Sequence, residues 1–362
     1  ELYAQFQRMC GGASEKGCGL NTLNGAIAEY RETLRLKPDL AEAHNDLGNA
    51  LDDLGQRDEA MVEYRKAIGL QPNLVQAHNN LGTMLTAEGL YEQAVAEFRA
   101  ALALDPSDTV ARRNLGNALS FQRHYDEAIV EYRKVIEIKP DCLACYSDIG
   151  LDLANEKRFD EAILEYHKAL EIDPNDPPTH YNLALALQGN GRNTEAMAEY
   201  RETIRLNPRH VNAHENLGSL LDDRGDHQEA IVEYREALKL APDKGMLHYN
   251  LGFALENVGD WDTAIVEYRE ALRLGYAGNQ VHYGLGFVLD QKNDMDAAIA
   301  EYRKAIDLAP NFAPAHYRLG RDLRDKGDFK TALEELQLAS AIEPGNSAYS
   351  KAAKDLQRQL SH

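Results

Sequence analysis

Long apolar runs are missing from this chain of 362 residues. Nowhere do about 18 apolar residues follow one another, so nothing in it is read as spanning a bilayer. Positive charge is also short. With 39 Lys and Arg against 59 Asp and Glu, the formal net charge is −20, which argues against nucleic acid and against anionic membranes as partners. Cysteine is scarce: Cys10 and Cys18 bracket the glycine-rich GGASEKG, and Cys142 and Cys145 form a CxxC. One CxxC without a second pair nearby is a poor zinc signal. The pairs read as unlinked thiols of a cytoplasmic protein or as local disulfides of an exported one. An initiator Met and a signal peptide are absent too, which reads as a removed leader or a start inside a longer protein.

Catalytic motifs are equally hard to find. Gly284-Leu285-Gly286 lacks the third glycine of a phosphate loop, and His214-Glu215 opens no HExxH because Gly218 holds the second histidine's place. No enzymatic activity, cofactor or metal site is expected.

What is there is a period. The stretch Val211 to Lys244 matches again when slid by 34 residues in either direction, without insertion. Nine of the twelve prolines keep that register, from Pro38 to Pro344, and only Tyr276 breaks the series. A fixed period of this length is the mark of a solenoid. Within one unit, Leu217, Gly218 and Leu221 belong to a first helix. Ala230, Tyr234, Ala237 and Leu238 then form the apolar stripe of a second. Gly225 stops the first helix, Asp226 with Glu229 resembles a capping box for the second, Pro242 ends it, and Asp243 can cap the next.

Glycine recurs at the eighth position as Gly48, Gly82, Gly116, Gly150, Gly218, Gly252, Gly286 and Gly320, with Ala184 in the exception. Mid-helix glycine costs about 1 kcal/mol relative to alanine, so the series costs roughly 8 kcal/mol. Close helix approach is the expected compensation, with the alanine series that includes Ala60 and Ala230 as the facing residues.

These residues resemble the tetratricopeptide repeat family, whose pattern is carried here by Leu47, Gly48, Leu51, Gly55, Ala60, Tyr64, Ala67 and Pro72. The resemblance implies an all-α fold, a right-handed α-solenoid (superhelix) of helix-turn-helix repeats, and a partner-binding rather than a catalytic role. Residues 1–19 read as an irregular N-terminal arm with a Gly/Ser loop, 20–40 as a half repeat, 41–346 as nine full repeats, and 347–362 as a capping helix. Its apolar side is Tyr349, Ala352, Ala353, Leu356 and Leu360. The second-type helix is clear from Asn21. Arg123 and Lys157 replace the turn glycine, which suggests turns of a different shape. LGYAGNQ, with Gly275 and Gly278, makes the seventh boundary the expected soft joint.

Histidine recurs at the fourth position as His44, His78, His180, His214, His248, His282 and His316. Successive copies lie on different helices roughly 10 Å apart, too far for one metal, so the row is read as structural. The Glu-Tyr-Arg triplets, such as Glu63-Tyr64-Arg65, are read as an inward tyrosine between solvated charges.

The resemblance places the first helices along a concave groove. At position six stand Asp46, Asn80, Asn114, Asp148, Asn182, Asn216 and Asn250, then Gly284 and Arg318. Such a column is similar to the asparagine ladder of O-linked N-acetylglucosamine transferase, which grips extended peptide backbone. An amide suits that role because it donates and accepts at once. The alternative is that these amides cap or solvate their own repeats. Tyr181, Tyr249, Tyr283 and Tyr317 hold position five, and Phe253 and Phe287 position nine. They read as an exposed aromatic stripe with i, i+4 pairs, or as rings stacked between repeats. Position five never holds Lys, so the family's clamp for carboxylate C-termini is not matched.

The leading function is a non-catalytic scaffold for an extended peptide or protein segment. Two rivals stand beside it. In one, Leu2, Tyr3, Phe6 and Met9 of the arm enter the next copy of the chain and build a head-to-tail filament. In the other, the chain is the recognition arm of a larger enzyme such as a glycosyltransferase.

Overall fold

A computed structural model describes the backbone of residues 15–361 and the side chains of residues 22–361. Leu2, Tyr3, Phe6, Met9 and Cys10 lie outside the described residues, and so does the side chain of Cys18. Among the described residues there are twenty α-helices and no strand. The half repeat is α1 (Glu15–Leu36), which begins earlier than Asn21 and takes part of the expected loop into the helix. Nine helical pairs follow: α2 (Ala41–Asp53) with α3 (Arg57–Leu70), α4 (Val75–Ala87) with α5 (Tyr91–Leu104), α6 (Thr109–Phe121) with α7 (Tyr125–Ile138), α8 (Leu143–Asn155) with α9 (Phe159–Ile172), α10 (Pro177–Gly189) with α11 (Asn193–Leu206), α12 (Val211–Arg224) with α13 (His227–Leu240), α14 (Gly245–Asn257) with α15 (Trp261–Arg273), α16 (Asn279–Gln291) with α17 (Met295–Leu308), and α18 (Ala313–Asp325) with α19 (Phe329–Ile342). The last helix is α20 (Ser347–Leu360).

Each pair turns on one left-handed residue. Gly225 has φ 92°, and the turn closes by Gly225 N–H to the Asp222 carbonyl at 2.9 Å and Asp226 N–H to that of Leu221 at 2.9 Å. Arg123 and Lys157 take φ 63° and 61° and close the same two bonds, Arg123 to Ser120 at 2.8 Å and His124 to Leu119 at 2.9 Å in the first case. Those turns therefore do not differ in shape, as the sequence suggested; the helix packing on both sides holds a conformation that L-residues take at a cost. Asn293, with φ 59°, is a third non-glycine stop.

The capping box does not form. The Asp226 side chain pairs with Arg224 and leaves its helix uncapped, and Glu229 reaches Arg201 at 3.1 Å. Asp243 is no cap either, since Lys244 holds the N-cap of α14.

The eighth-position glycines face the tyrosine series most closely, and the alanine series faces them too at Gly286 and Gly320, where a Cβ would lie 3.3 Å from the Ala298 carbonyl oxygen and 3.0 Å from that of Ala332. A Cβ on Gly116 would lie 2.5 Å from Tyr132 Cε1, and one on Gly218 would lie 2.6 Å from Tyr234 Cε1. These rings are buried throughout the series, with Phe98 and Leu336 as substitutes. The compensation for glycine in mid-helix is thus the burial of a whole phenol against bare backbone, which is the largest apolar payload in each repeat.

The glutamates beside those tyrosines are not solvated, contrary to the sequence reading. His44 Nδ1 lies 2.5 Å from Glu63 Oε2 and its Nε2 lies 2.9 Å from the Pro38 carbonyl oxygen. The same bridge recurs at His78 (2.6 and 3.0 Å), His214 (2.7 and 3.2 Å), His248 (2.6 and 3.0 Å) and His316 (2.6 and 2.9 Å). Arg112 replaces it in the third repeat, reaching Glu131 at 2.8 Å and the Pro106 carbonyl at 2.6 Å. One imidazole thus ties a first helix to its second helix and to the preceding proline turn.

The chain divides into two units, one ending at Gly191 and the other starting at Arg192. In the first, α2 touches α4, α4 touches α6, α6 touches α8 and α8 touches α10; in the second, α12, α14, α16 and α18 follow in the same way. Second helices pack between consecutive first helices, as α13 does between α12 and α14. Each unit therefore presents a continuous face of first helices, an all-α solenoid of paired helices.

The seventh boundary closes without its proline. Gly275, with φ 83°, stops α15, Tyr276 N–H reaches the Ala271 carbonyl at 2.9 Å, and the Tyr276 ring packs 5.6 Å from Tyr249. On α20, Tyr349, Ala353 and Leu356 are buried, but Leu360 is exposed and does not join them. At the start of α8 the sulfurs of Cys142 and Cys145 are bonded, so this pair is not the unlinked thiols of the alternative reading; their Cα atoms lie 5.3 Å apart.

Candidate functional site

The position-six column is largely spent on holding neighbouring first helices together. In the first unit, Asn80 donates to Asn45 Oδ1 at 3.0 Å and to Asn49 Oδ1 at 2.8 Å. Asn114 donates to Thr83 Oγ1 at 3.4 Å, and Asp148 accepts from Arg113 at 2.9 Å. Burial raises the Asp148 carboxyl above its ordinary value, against the pull of Arg113, and burial raises Asp46 too. The common geometry runs from position six to position nine of the preceding repeat. At Asn182 that neighbour is Leu151, which cannot accept, and the Asn182 amide makes no side-chain hydrogen bond among the described residues.

In the second unit Asn216 donates to the Tyr200 hydroxyl at 3.2 Å. Asn250 has no such bond among the described residues, so its amide keeps its full capacity for a ligand's main chain. The column then gives way to Gly284 for a steric reason: a Cβ there would lie 2.6 Å from Tyr268 Cζ and 2.7 Å from its hydroxyl. Tyr268 in turn donates to Glu256 at 2.7 Å, and burial pushes the Glu256 carboxyl up to about 7.

The aromatic stripe is mostly packed against other rings, Tyr249 and Tyr283 within their own repeats and Phe287 and Tyr317 across a boundary. Tyr249 lies 6.1 Å from Tyr268 and its hydroxyl reaches Gln280 at 3.4 Å. Tyr283 sits 5.9 Å from Tyr302 and 5.2 Å from Phe312, and Tyr317 sits 4.7 Å from Tyr349. Phe287 meets Trp261 edge-on at 6.1 Å and carries the Arg318 guanidinium 4.6 Å above its ring. The tyrosines thus turn away from their i+4 phenylalanines towards partners on other helices, because a half-exposed ring gains more area there. Phe253 remains open, 41% exposed. It lies three residues from Asn250, one helical turn along the same side of α14. Tyr181 also has a partner.

No curated protein matches the chain. Among family models, a tetratricopeptide repeat model matches residues 45–109, 181–245 and 249–311, more than half of the chain. The chain belongs to the tetratricopeptide repeat family. A second model of tetratricopeptide repeats covers 85–147 and 291–356, and a TPR repeat model covers 20–55 and 150–191. A tetratricopeptide repeat protein from Parabacteroides merdae is similar with a TM-score of 0.51, 16% identity and coverage of 69% of this chain and 98% of that one. PilF of Pseudomonas aeruginosa gives 0.49 at 22% identity, covering 60% and 97%. YrrB, described as a TPR protein with an unusual peptide-binding site, gives 0.45 at 21%, covering 51% and 95%.

Two buried carboxylates of this tetratricopeptide repeat chain escaped the sequence reading. Asp152 and Asp322 stand at position ten, where other repeats have Ala118, Ala186 and Ala254. That break in an otherwise apolar column was the available signal. No described helix is long and apolar enough to cross a membrane.

Proposed function

We propose that the chain is a non-catalytic scaffold that binds an extended segment of a partner protein along the first-helix face of the unit starting at Arg192. Tetratricopeptide repeats serve as protein- and peptide-binding scaffolds. The observation that carries the reading is the pairing on α14 of an amide without a partner, Asn250, with an exposed phenylalanine, Phe253. One group grips main chain and the other gains apolar area, which are complementary requirements of an extended ligand. The ladder-like use of asparagine narrows to Asn250 here and Asn182 in the other unit, since the remaining amides bond within the protein.

Decapeptides selected from a displayed library on the full chain supply the ligand for the test. Replacing Asn250 and Phe253 together by Ala is expected to weaken such a peptide about tenfold or more, with the circular dichroism of the helices unchanged. Undiminished affinity in the folded double variant would contradict the assignment.

A further inference from the structure

The Cys142–Cys145 disulfide joins no two helices. It spans a single turn at the start of α8, where Cys145 N–H already donates to the Cys142 carbonyl at 3.0 Å and Tyr146 N–H to the same oxygen at 3.3 Å. Helices α4 and α12 close the same turn without sulfur. In α4, Ala77 and His78 N–H reach the Leu74 carbonyl at 3.1 and 3.4 Å; in α12, Ala213 and His214 reach that of His210 at 3.1 and 3.3 Å. A bridge over so few residues removes little freedom that the helix has not already fixed. Stapling the fold is therefore a poor account of it.

The two cysteines stand in different surroundings. Cys145 takes the third position of its repeat, a place that holds buried Ala111 and Ala213 elsewhere, and it has 0% exposure. Cys142 is partly exposed. A reagent arriving from solvent meets Cys142 first.

The Cys142 sulfur also occupies a place where neighbouring repeats keep anions. It caps the N-terminus of α8 and accepts from Cys145 N–H at 3.3 Å. One repeat earlier, the Asp108 carboxylate caps α6, accepting from Val110 at 2.9 Å and Ala111 at 3.0 Å. One repeat later, Asp176 caps α10 through Thr179 at 2.9 Å. Both neighbours thus set a full negative charge on the N–H equivalent to that of Cys145. Once the bridge opens, a thiolate on Cys142 takes over that donor and the positive end of the α8 dipole. A sulfur that meets solvent and is stabilised as thiolate, beside a buried one that can return to it, is what thiol–disulfide exchange requires.

We propose that Cys142–Cys145 is an exchangeable disulfide that oxidises thiols, with Cys142 as the sulfur attacked and Cys145 as the resolving one. An incoming thiolate bonds to Cys142 Sγ while the Cys142–Cys145 bond breaks, and the electron pair passes to Cys145 Sγ, which takes a proton from solvent. A second thiolate then attacks the sulfur of the first, which forms the product disulfide and releases Cys142 as a thiolate. In all, two thiols give up two electrons and the pair becomes a dithiol. If no second thiol arrives, Cys145 expels the first and restores the bridge. The thiols belong to a small molecule or to cysteines of a polypeptide.

The test equilibrates the oxidised full chain with mixtures of reduced and oxidised glutathione, and peptide mass mapping separates this pair from Cys10 and Cys18. Reversible opening of the bridge is expected, with the circular dichroism of the helices unchanged. A bridge that opens only as the chain unfolds overturns the proposal and leaves a structural disulfide. Cys145→Ser is expected to fold, since buried Thr179 places a hydroxyl at the same position of the next repeat. With oxidised glutathione it should form the mixed disulfide at Cys142 about tenfold or more faster than Cys142→Ser forms one at Cys145. Equal rates, or the reverse order, overturn the assignment of Cys142. Should either variant unfold, the mixed disulfide trapped on the unaltered chain with iodoacetamide decides between the two sulfurs. A reduced two-cysteine peptide, run against glutathione at equal thiol concentration, separates the sources: faster opening by the peptide assigns polypeptide thiols, and faster opening by glutathione assigns a small one.

Discussion

Gly116→Val is expected to destabilise the third repeat by about 3 kcal/mol or more, the upper end of what overpacking costs in a closed core. The Cβ alone would stand 2.5, 2.8 and 2.9 Å from Cε1, Cδ1 and Cζ of Tyr132, and the γ-methyl groups would go further into the ring. Tyr132 is 2% exposed and its hydroxyl donates to Asn117 at 2.8 Å, so the ring is held at both ends. Alanine is milder: it gains about 1 kcal/mol of helix propensity against about 1–3 kcal/mol of crowding. Ala184 shows that the position can take one methyl. Hydrogen exchange in α6 and α7 reads the effect repeat by repeat, which suits a chain whose repeats couple mainly to neighbours. In a Tyr132→Ala background the valine should cost far less, a coupling visible in a double-mutant cycle. Equal costs in the two backgrounds would mean that the glycine is not there for the ring.

His316→Ala is expected to cost about 1–3 kcal/mol, because it strips partners from buried acceptors. Glu335 and the Pro310 carbonyl both only accept, so a neutral imidazole can donate to one of them and an imidazolium to both. The Glu335 hydrogen bond, aided by Pro310 and opposed by burial, accordingly raises the His316 pKa above its usual value; at His214 burial pulls downward but Glu233 and Pro208 prevail. A raised folded-state pKa sets the sign. The contribution is fully present below the unfolded pKa of about 6.5 and is lost as pH rises through the folded value. The cost of His316→Ala should therefore be larger at mildly acidic than at alkaline pH. Imidazole titration by NMR should place His316 above its value in denaturant, and Glu335→Gln should bring it down. A folded-state midpoint at or below the denatured one would refute the bridge.

The helices were readable because their signals are local: a proline series, an alanine-tyrosine stripe and a turn glycine, all within one repeat. What failed to read was whatever joins positions brought close only by packing. The glycine at position eight looked like a helix-packing residue, and so it is, but its closest partner is the large side chain sixteen residues on, a ring in most repeats, and the small alanine nearer by comes second. The glutamate beside each tyrosine looked solvated because its histidine lies nineteen residues earlier. The asparagine column could be read two ways from the sequence. As a list it promised a ladder; in the structure most of the amides bond across to the neighbouring repeat, and Asn182, opposite Leu151, has no acceptor there. Arg123 and Lys157 show packing overriding a local preference, since their turns close like those of glycine.

The most direct test of the peptide groove is photocross-linking with a selected decapeptide. A benzophenone amino acid would replace Phe253 on the first-helix face, or Val266, an exposed second-helix residue of the same repeat. The account predicts covalent capture of the peptide from position 253 and none from position 266. Capture from Val266 instead, or from both positions alike, would contradict it.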